Sequence, residues 1–469
     1  MTEHHFPAGE CLLWVIRLFQ VLSPVIHGRE KKKSDIRPMR FLVLFFLGGA
    51  ALPAQSWQTL PALPEPVTNN AVTEAHIGDS VFIYSFAGLD VTKTWSGIHL
   101  KAWRLRLGDT AWQALPSVPD PTGGKIAAAA STVGGKIYVI GGYHVEANGN
   151  ETSSRKVHRF DPATNSWLPD GADLPLAIDD QVQAVWRDSL IFVVSGWSNT
   201  TNVNNVQIYN PATDTWLAGT PVPDLLNYKV FGGSGTIIGD TLYYAGGART
   251  GGAFPPTTFF RKGYIHPDDP GQIDWSGATE SLARGYRMGC VELLGKALWL
   301  GGSDVTYNYN GIAYNGSGGV PALDRLTLYD PATGTLTPFL NQVIAPTMDL
   351  RGVAKVSPTA VVLAGGMGPN QQVTDQVRLY ELAQVVPTQQ AQVLPEYRIF
   401  PNPALDFFTL QTKHWVQASL FNIYGGKVGQ VSGSGVVRFS VAHLPAGVFF
   451  LKIQTSGGRL SLQKIVVSR

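Results

Sequence analysis

Six short apolar runs in this chain each end in Gly-Gly or in a close variant of it. The six pairs are Ala87-Gly88, Gly141-Gly142, Ser195-Gly196, Gly246-Gly247, Gly301-Gly302 and Gly365-Gly366. The second member of each pair falls 54, 54, 51, 55 and 64 residues after the one before it. A period of about 50 residues means that one supersecondary unit is repeated along the chain.

A series of tryptophans runs in phase with the doublets. Its members are Trp57, Trp112, Trp167, Trp216 and Trp275, and Leu336 stands where the next one is due. We expect each tryptophan to open the outer strand of its unit and to supply a large buried area between neighbouring units.

The clearest unit begins with the small, apolar strand IAAAASTV (126–133) and turns at Gly134-Gly135. A second strand, KIYVIGGY (136–143), ends in the doublet, and a polar loop follows. The stretch KVHRFDPATNSW (156–167) then has the pattern of strand, turn and strand, because Asp-Pro-Ala-Thr is a turn signal in which the Asp side chain bonds the backbone two residues on. Each unit is therefore predicted to be a four-stranded antiparallel meander.

The glycines are predicted to serve close packing. Wedge-shaped units crowd their inner strands around an axis, and glycine permits close backbone approach and a positive φ there. Glycine otherwise weakens a strand, so six such doublets indicate a packing requirement.

An apolar run with Gly-Gly, then Tyr/Phe-Asp/Asn-Pro, then Trp resembles the kelch family over roughly residues 56–382. The resemblance implies an all-β chain with a six-bladed kelch β-propeller at 55–383. The last doublet, in VVLAGG (361–366), is followed by one strand, QVRLYEL (376–382), and no Trp. The strand that begins at Trp57 is therefore predicted to complete the sixth blade as its N-terminal outer strand and to close the ring.

Composition excludes some classes of function. The net charge of +2 gives no argument for nucleic acid, and charged residues make up only 15% of the chain. The two cysteines are Cys11 and Cys290, and no disulfide is expected.

The N-terminal region carries a predicted signal peptide at 39–54, where MRFLVLFFLGGAALPA has a basic residue, an apolar run and a small-residue end. This run is too short to span a membrane, so no transmembrane anchor is expected in the mature protein. Residues 1–38 are interpreted as a mis-called extension. The alternative is an unusually long basic region ahead of the apolar run.

A Pro- and Gln-rich linker is predicted at 384–395, and about seven short alternating strands at 396–469 suggest a small Ig-like β-sandwich. Four ordered blocks there resemble the C-terminal sorting domain of the type IX secretion system of Bacteroidetes-type bacteria: Phe400 to Ala404, Ile423 to Val428, Leu444 to Ile453 and Lys464 to Val467. The resemblance implies engagement of that machinery through 396–469. It also implies passage through the periplasm, and a secreted or outer-membrane-surface location on a Gram-negative bacterium. The alternative is an ordinary terminal Ig-like module.

Candidate binding residues lie where loops meet the predicted channel mouth. They are Asp180, Lys229, Arg284, Arg287, Arg351, Tyr143, His144 and Trp197. Three arginines around one channel could hold a carboxylate or sulfate bidentately. The alternative is that these arginines form blade-to-blade hydrogen bonds. Asp179 and Asp180 are expected to point to opposite faces of a strand.

The long polar loops favour a module that binds a glycan or a protein, with no catalytic residue and no cofactor or metal assigned. The alternative is a carbohydrate-active kelch enzyme such as a sialic acid mutarotase, for which Glu146, Glu151 and Glu280 are possible acids. A copper site of the galactose oxidase kind is not expected, because the propeller histidines lack ligand spacing.

Overall fold

The computed structural model describes residues 56–307, 320–340, 346–382, 397–422, 426–455 and 460–468. The predicted extension, signal peptide and linker lie outside these residues. Strands and turns dominate, and the described helical structure consists of three short 3-10 helices, Trp95–Gly97, Ser281–Ala283 and Pro369–Gln371.

Six successive antiparallel sheets occupy the described residues up to 382, and we number them blade one to blade six. The chain begins with β1 (Ser56–Leu60), which belongs to blade six. Blade one contains β2 (Ala71–Ile77), β3 (Ser80–Leu89), β4 (Ile98–Arg106) and β5 (Gln113–Leu115). Blade two contains β6 (Ile126–Val133), β7 (Lys136–Val145), β8 (Glu151–Ser153), β9 (Val157–Asp161) and β10 (Ser166–Trp167). Blade three contains β11 (Val182–Trp186), β12 (Leu190–Val194), β15 (Val206–Asn210) and β16 (Thr215–Gly219), with the small hairpin β13 (Trp197–Ser198) and β14 (Thr201–Asn202) between β12 and β15.

The remaining three blades follow the same order. Blade four contains β17 (Phe231–Ile238), β18 (Thr241–Ala248), β19 (Phe259–His266) and β20 (Asp269–Thr279). Blade five contains β21 (Gly289–Leu293), β22 (Lys296–Leu300), β23 (Arg325–Asp330) and β24 (Thr335–Leu340). Blade six contains β25 (Ala354–Lys355), β26 (Ala360–Ala364), β29 (Val377–Glu381) and β1, with the hairpin β27 (Met367–Gly368) and β28 (Gln372–Val373) between β26 and β29. The prediction of an all-β chain built from four-stranded sheets is confirmed.

The predicted turn chemistry is confirmed between the third and fourth strands of three blades. The backbone N–H of Ala163 donates to Asp161 Oδ1 at 2.9 Å, and Ala332 donates to Asp330 Oδ1 at 2.9 Å. Ala212 makes the same bond to Asn210 Oδ1 at 3.0 Å. The side chain two residues back thus holds each turn closed.

Both residues of all six doublets have positive φ, including Ala87 (57°) and Ser195 (52°). The space around them is restricted as well. A Cβ added to Gly246 would lie 2.0 Å from the carbonyl oxygen of Gly285, on the connection to the next blade. The glycines are therefore needed both for the positive φ and for the close backbone approach that the sequence suggests.

Blade six combines the two ends of the repeat region. β1 pairs antiparallel with β29, and Trp57 lies opposite Tyr380 with ring centroids 4.9 Å apart. The hydrogen-bonding edge of β29 is thereby covered by a strand from the other end of the propeller.

The C-terminal residues form one curled sheet of five described strands where the sequence suggests a two-sheet sandwich of about seven. The strands are β30 (Tyr397–Phe400), β31 (Phe407–Phe421), β32 (Lys427–Ser440), β33 (Gly447–Thr455) and β34 (Leu460–Val467). β31 pairs with β32 along most of its length, and the register shifts between Thr412 and Val416. A bulge of this kind bends a strand without ending it, so two predicted strands merge into one.

Candidate functional site

The first strand of each blade lies innermost, because it contacts the first strand of a neighbouring blade. In an antiparallel meander, the loop between the second and third strands emerges at the same end as the connection to the next blade. We call this end the mouth face.

One residue at the mouth end of each innermost strand has a left-handed backbone. These residues are Asn69 (57°), Ala127 (57°), Asp180 (49°), Gly232 (63°), Arg287 (49°) and Asp349 (64°). A positive φ is uncommon for residues other than glycine, although Asn and Asp adopt it more often than most. Three of the six positions are Asn or Asp, and Arg287 is the long side chain among them. The repeated conformation turns the chain from the blade connection into the inner strand.

Hydrogen bonds join these six positions into a belt around the channel. Backbone N–H groups donate to the carbonyl oxygen of the preceding blade at four of the links, from Asp180, Gly232, Arg287 and Leu350, at 2.8–3.1 Å. Asn69 closes the belt: its N–H donates to the Asp349 carbonyl at 3.2 Å, and its Oδ1 accepts from the Ala127 N–H at 2.6 Å. The blades are therefore fixed to one another at the level where the candidate site lies.

Four charged side chains, three from this belt and one that follows it two residues after Asp349, meet in the channel, and we call them the plug: Asp180, Arg287, Asp349 and Arg351. Arg287 donates to Asp180 at 2.6 Å and 3.2 Å and to Asp349 at 2.8 Å. Arg351 Nη1 lies 3.4 Å from Asp180 Oδ1. The Arg287 side chain is fully buried, and although burial opposes its charge, the two carboxylates hold its pKa well above the usual range.

The plug contains three of the eight predicted binding residues, Asp180, Arg287 and Arg351. The guanidinium of Arg287 is occupied by protein carboxylates, which favours the blade-to-blade interpretation over a free anion clamp. Asp349 completes the plug and was not identified from the sequence. The signal that could have found it is the repeat position, because Asp349 precedes its inner strand as Asp180 precedes β11.

The remaining basic candidates lie away from the plug. Lys229 forms an ion pair with Asp224. Arg284 is exposed and donates to the carbonyl oxygen of Asp304 at 2.9 Å and 3.1 Å. His144 Nδ1 lies 3.0 Å from the Gly124 carbonyl oxygen, so it joins the end of β7 to the connection between blades one and two.

An apolar cluster built from all six blades adjoins the plug. It includes Leu89, Tyr143, Phe231, Tyr286 and Met348, with Trp197 and Phe254 packed against it. The Arg287 guanidinium lies 5.1 Å from the Tyr286 ring centroid, so the two layers are in contact.

A small cavity of about 30 Å³ opens between this cluster and the plug. Its lining consists of Tyr143, Glu151, Asp179, Asp180, Trp197, Phe231 and Phe254. Tyr143 and Trp197, two predicted site residues, thus lie together. Asp179 and Asp180 share this cavity, contrary to the expectation of opposite faces, because the positive φ of Asp180 breaks strand alternation before β11 begins.

The carboxyl groups of this cavity are perturbed by their surroundings. Burial raises the pKa of Glu151 to about 7. Burial is the main cause that raises the pKa of Asp179 well above its usual range, and the adjacent charge of Asp180 is the second. Ser153 Oγ donates a hydrogen bond to the Asp179 carboxyl group at 2.6 Å. The cavity therefore holds two carboxyl groups whose pKa values are raised by burial, that of Glu151 to about 7.

Hydrogen bonds connect the loops of neighbouring blades around the mouth face, and we call these loops the rim loops. Ser153 and Asn199 exchange two hydrogen bonds, at 3.0 Å and 2.8 Å. Lys93 Nζ donates to the Gln371 carbonyl oxygen at 3.0 Å, and Thr306 Oγ1 donates to the Ala253 carbonyl oxygen at 3.2 Å. These loops and the connection from blade three to blade four present exposed apolar side chains, among them Val91, Trp95, Leu225, Leu226 and Val305.

Beyond the plug, the channel holds a second cavity of about 100 Å³. Arg351, Gln181 and Cys290 are among its lining residues. Cys290, which belongs to β21, is partly buried there.

Among the described residues, no group of three or more His, Cys, Asp or Glu is arranged to hold a metal ion. The part of the chain that the structure describes also contains no helix long and apolar enough to cross a membrane.

Two family descriptions match this chain. The kelch motif matches residues 127–169 and 187–223, and the secretion system C-terminal sorting domain matches residues 398–468. The sorting domain indicates secretion or delivery to the outer surface of the cell.

Curated proteins and a solved structure are similar to part of this chain. Kelch-like protein 36 of Bos taurus is 27% identical over 177 residues, which are 37% of this chain and 26% of that protein. Kelch-like protein 35 of Mus musculus is 23% identical over 61% of this chain and 47% of its own length. This chain thus spans less than half the length of either relative. The solved structure of YjhT, at 17% identity, covers 68% of this chain and 95% of its own, with a TM-score of 0.53, and it shows the fold alone.

Proposed function

We propose that this chain, a secreted kelch propeller protein with a C-terminal sorting domain, is a binding module for a glycan or a protein. Six blades closed by β1 form its scaffold, and the ligand contacts the mouth face. Residues 396–469 engage the type IX secretion machinery, which carries the propeller across the outer membrane.

The observation that carries this proposal is the fixed rim of the mouth face. The two positive and two negative side chains of the plug compensate one another inside the channel. At the level of the plug, the channel centre therefore serves as part of the scaffold. The rim loops are held by hydrogen bonds between blades and present the half-exposed ring of Trp95 (44%). A rigid aromatic side chain on a fixed loop supplies contact area at low entropic cost, either by stacking on a sugar ring or by contact with a protein.

We expect Trp95→Ala to weaken ligand binding about tenfold or more, because loss of a rim aromatic contact costs about 1.4 kcal/mol or more. The full chain is first screened on a glycan array and on an array of surface-protein peptides, and affinities for the best hits are then measured by calorimetry.

Trp415→Ala is the matched control, because it removes an indole of similar exposure (52%) from the C-terminal sheet. Equal losses in the two variants, or no hit on either array, would contradict binding through the mouth face.

Glu151 and Asp179 favour a second candidate, a carbohydrate-active enzyme that moves a proton at the mouth. A carboxyl group whose pKa lies near 7 is suited to general acid–base catalysis at neutral pH. The partly buried indole of Trp197 provides an apolar wall beside it.

If this second activity exists, anomer exchange of sialic acids or galactosides should accelerate as pH rises through about 7. The sign follows from Glu151, which loses its proton over that range and becomes a base. Glu151→Gln should lower the rate by about 10²- to 10⁴-fold and remove this titration. Exchange is measured by NMR.

Glu146→Gln is the control, because Glu146 is an exposed loop carboxylate that accepts from Asn148 Nδ2 at 3.2 Å. No exchange above the buffer rate, or an unchanged rate in Glu151→Gln, leaves binding as the only function of the mouth.

A further inference from the structure

Each of four tryptophans of the repeat series donates its indole N–H across the seam to the preceding blade. The donors and acceptor carbonyls are Trp112 to Pro61, Trp167 to Pro116, Trp216 to Ala172 and Trp275 to Thr220, at 2.8–2.9 Å. These bonds join blades six and one, one and two, two and three, and three and four. An indole therefore fills the outer part of the interface between blades at each of these four seams.

The seam between blades four and five has Leu336 in this place. Leu336 lies opposite Tyr329 on the neighbouring strand, just as Trp216 lies opposite Tyr209 and Trp167 opposite Phe160. The aromatic partner is thus retained, and only the indole is missing. Leucine is shorter than tryptophan and carries no N–H donor.

A cavity of about 200 Å³ occupies the seam beside Leu336. Both blades line it: Phe260, Lys262 and Glu280 come from blade four and its exit, and Tyr329 and Leu336 from blade five. An apolar cavity of about 150 Å³ is large enough to hold benzene. The space is therefore sufficient for an aromatic ring system somewhat larger than benzene.

The lining has the chemistry that an indole requires. The Phe260 and Tyr329 rings lie with centroids 4.7 Å apart, and Lys262 Nζ is 5.1 Å from the Tyr329 centroid. An ammonium group held over aromatic rings also interacts favourably with an indole face. Glu280 directly follows β20, as Thr220 follows β16 and Pro116 follows β5, so its carbonyl oxygen, which accepts from the Ala283 N–H at 2.9 Å, corresponds in chain order to the acceptors of those seams.

The inner part of this seam is already filled by another indole. Trp299 of β22 is buried, donates to the Ser234 carbonyl oxygen at 3.0 Å, and packs on Phe260 with centroids 5.7 Å apart. This packing stabilises the inner seam while the outer cavity stays open, because Trp299 approaches from the channel side of the blade.

We propose that the cavity at Leu336 is a binding site for a planar aromatic ring with an N–H on its edge, an indole-type group. The ring takes the place that tryptophan holds in the other seams, between the blade-four and blade-five aromatic residues. This site is separate from the mouth face, and it does not depend on the glycan or protein ligand proposed there.

The test compares ligand binding to a variant that fills the cavity, Leu336→Trp, with binding to one that enlarges it, Leu336→Ala. Saturation-transfer NMR and calorimetry on the full chain measure binding of indole and of N-acetyltryptophanamide. Leu336→Trp should weaken binding of both at least tenfold and raise Tm by about 1–3 °C, since it fills the cavity. Leu336→Ala should retain indole binding within about threefold.

Leu217→Trp is the control, because it makes the same change at an exposed position of β16. Crystals soaked with 5-bromoindole should show anomalous bromine density beside Leu336. Tighter binding of the capped amide indicates a tryptophan of a partner chain, and tighter binding of free indole indicates a small molecule. No binding of either probe, or equal binding to Leu336→Trp, overturns the site. If Leu336→Trp does not fold, the crystals with 5-bromoindole decide the same question, and absence of bromine density beside Leu336 overturns the site.

Discussion

Replacing Arg287 with methionine should lower the free energy of unfolding by about 3–5 kcal/mol. Arg287 is fully buried and is the residue that links Asp180 to Asp349, so its loss leaves two buried carboxylates without their main counter-charge. Methionine keeps much of the side-chain volume, so the loss reflects charge more than an empty space. Denaturant unfolding followed by near-ultraviolet circular dichroism measures it.

Arg284→Met is the matched control, three residues earlier in the same connection. Its guanidinium is exposed and bonds, among the described residues, only to the carbonyl oxygen of Asp304, so we expect a change of less than about 0.5 kcal/mol. Adding Asp180→Asn and Asp349→Asn to Arg287→Met should recover part of the loss, because the unpaired charges are then removed. Equal stability of the two single variants would show that the plug does not hold the blades together.

Deleting residues 56–66 should have the second large effect. It removes β1 and with it the partial burial of Trp57 against Tyr380, which contributes up to about 3 kcal/mol, the lower end of the cost of truncating a core tryptophan. It also exposes the pairing edge of β29, and an open strand edge promotes association. We expect a lower Tm and dimers or larger species, measured by calorimetry and by light scattering after size exclusion.

Trp57→Ala separates the two consequences of that deletion. This variant loses the indole but keeps the backbone of β1, so it should be destabilised and remain monomeric. A deleted protein that melts at the wild-type temperature as a monomer would contradict closure by this strand.

The sequence by itself determined the repeat and its local chemistry. Doublets such as Gly141-Gly142, the Asp161-Pro162 turn and Trp167 act over a few residues, through φ preference, side-chain-to-backbone bonds and strand pairing. These interactions recur with the period, so every unit could be predicted from one. The strands of the C-terminal sheet were predicted less well, because the bulge near Thr412 depends on which strands flank it.

The tertiary structure decided what the charged residues do. Asp180 and Arg287 were located from the sequence, but they are 107 residues apart, and Asp349 lies 62 residues from Arg287. Only the geometry of the closed ring brings these groups within hydrogen-bonding distance and removes them from water. Burial opposes the charge of Arg287, and the two carboxylates brought beside it hold that charge. Burial also raises the pKa of Glu151 to about 7, because desolvation depends on the surrounding blades and not on the neighbouring residues in the chain.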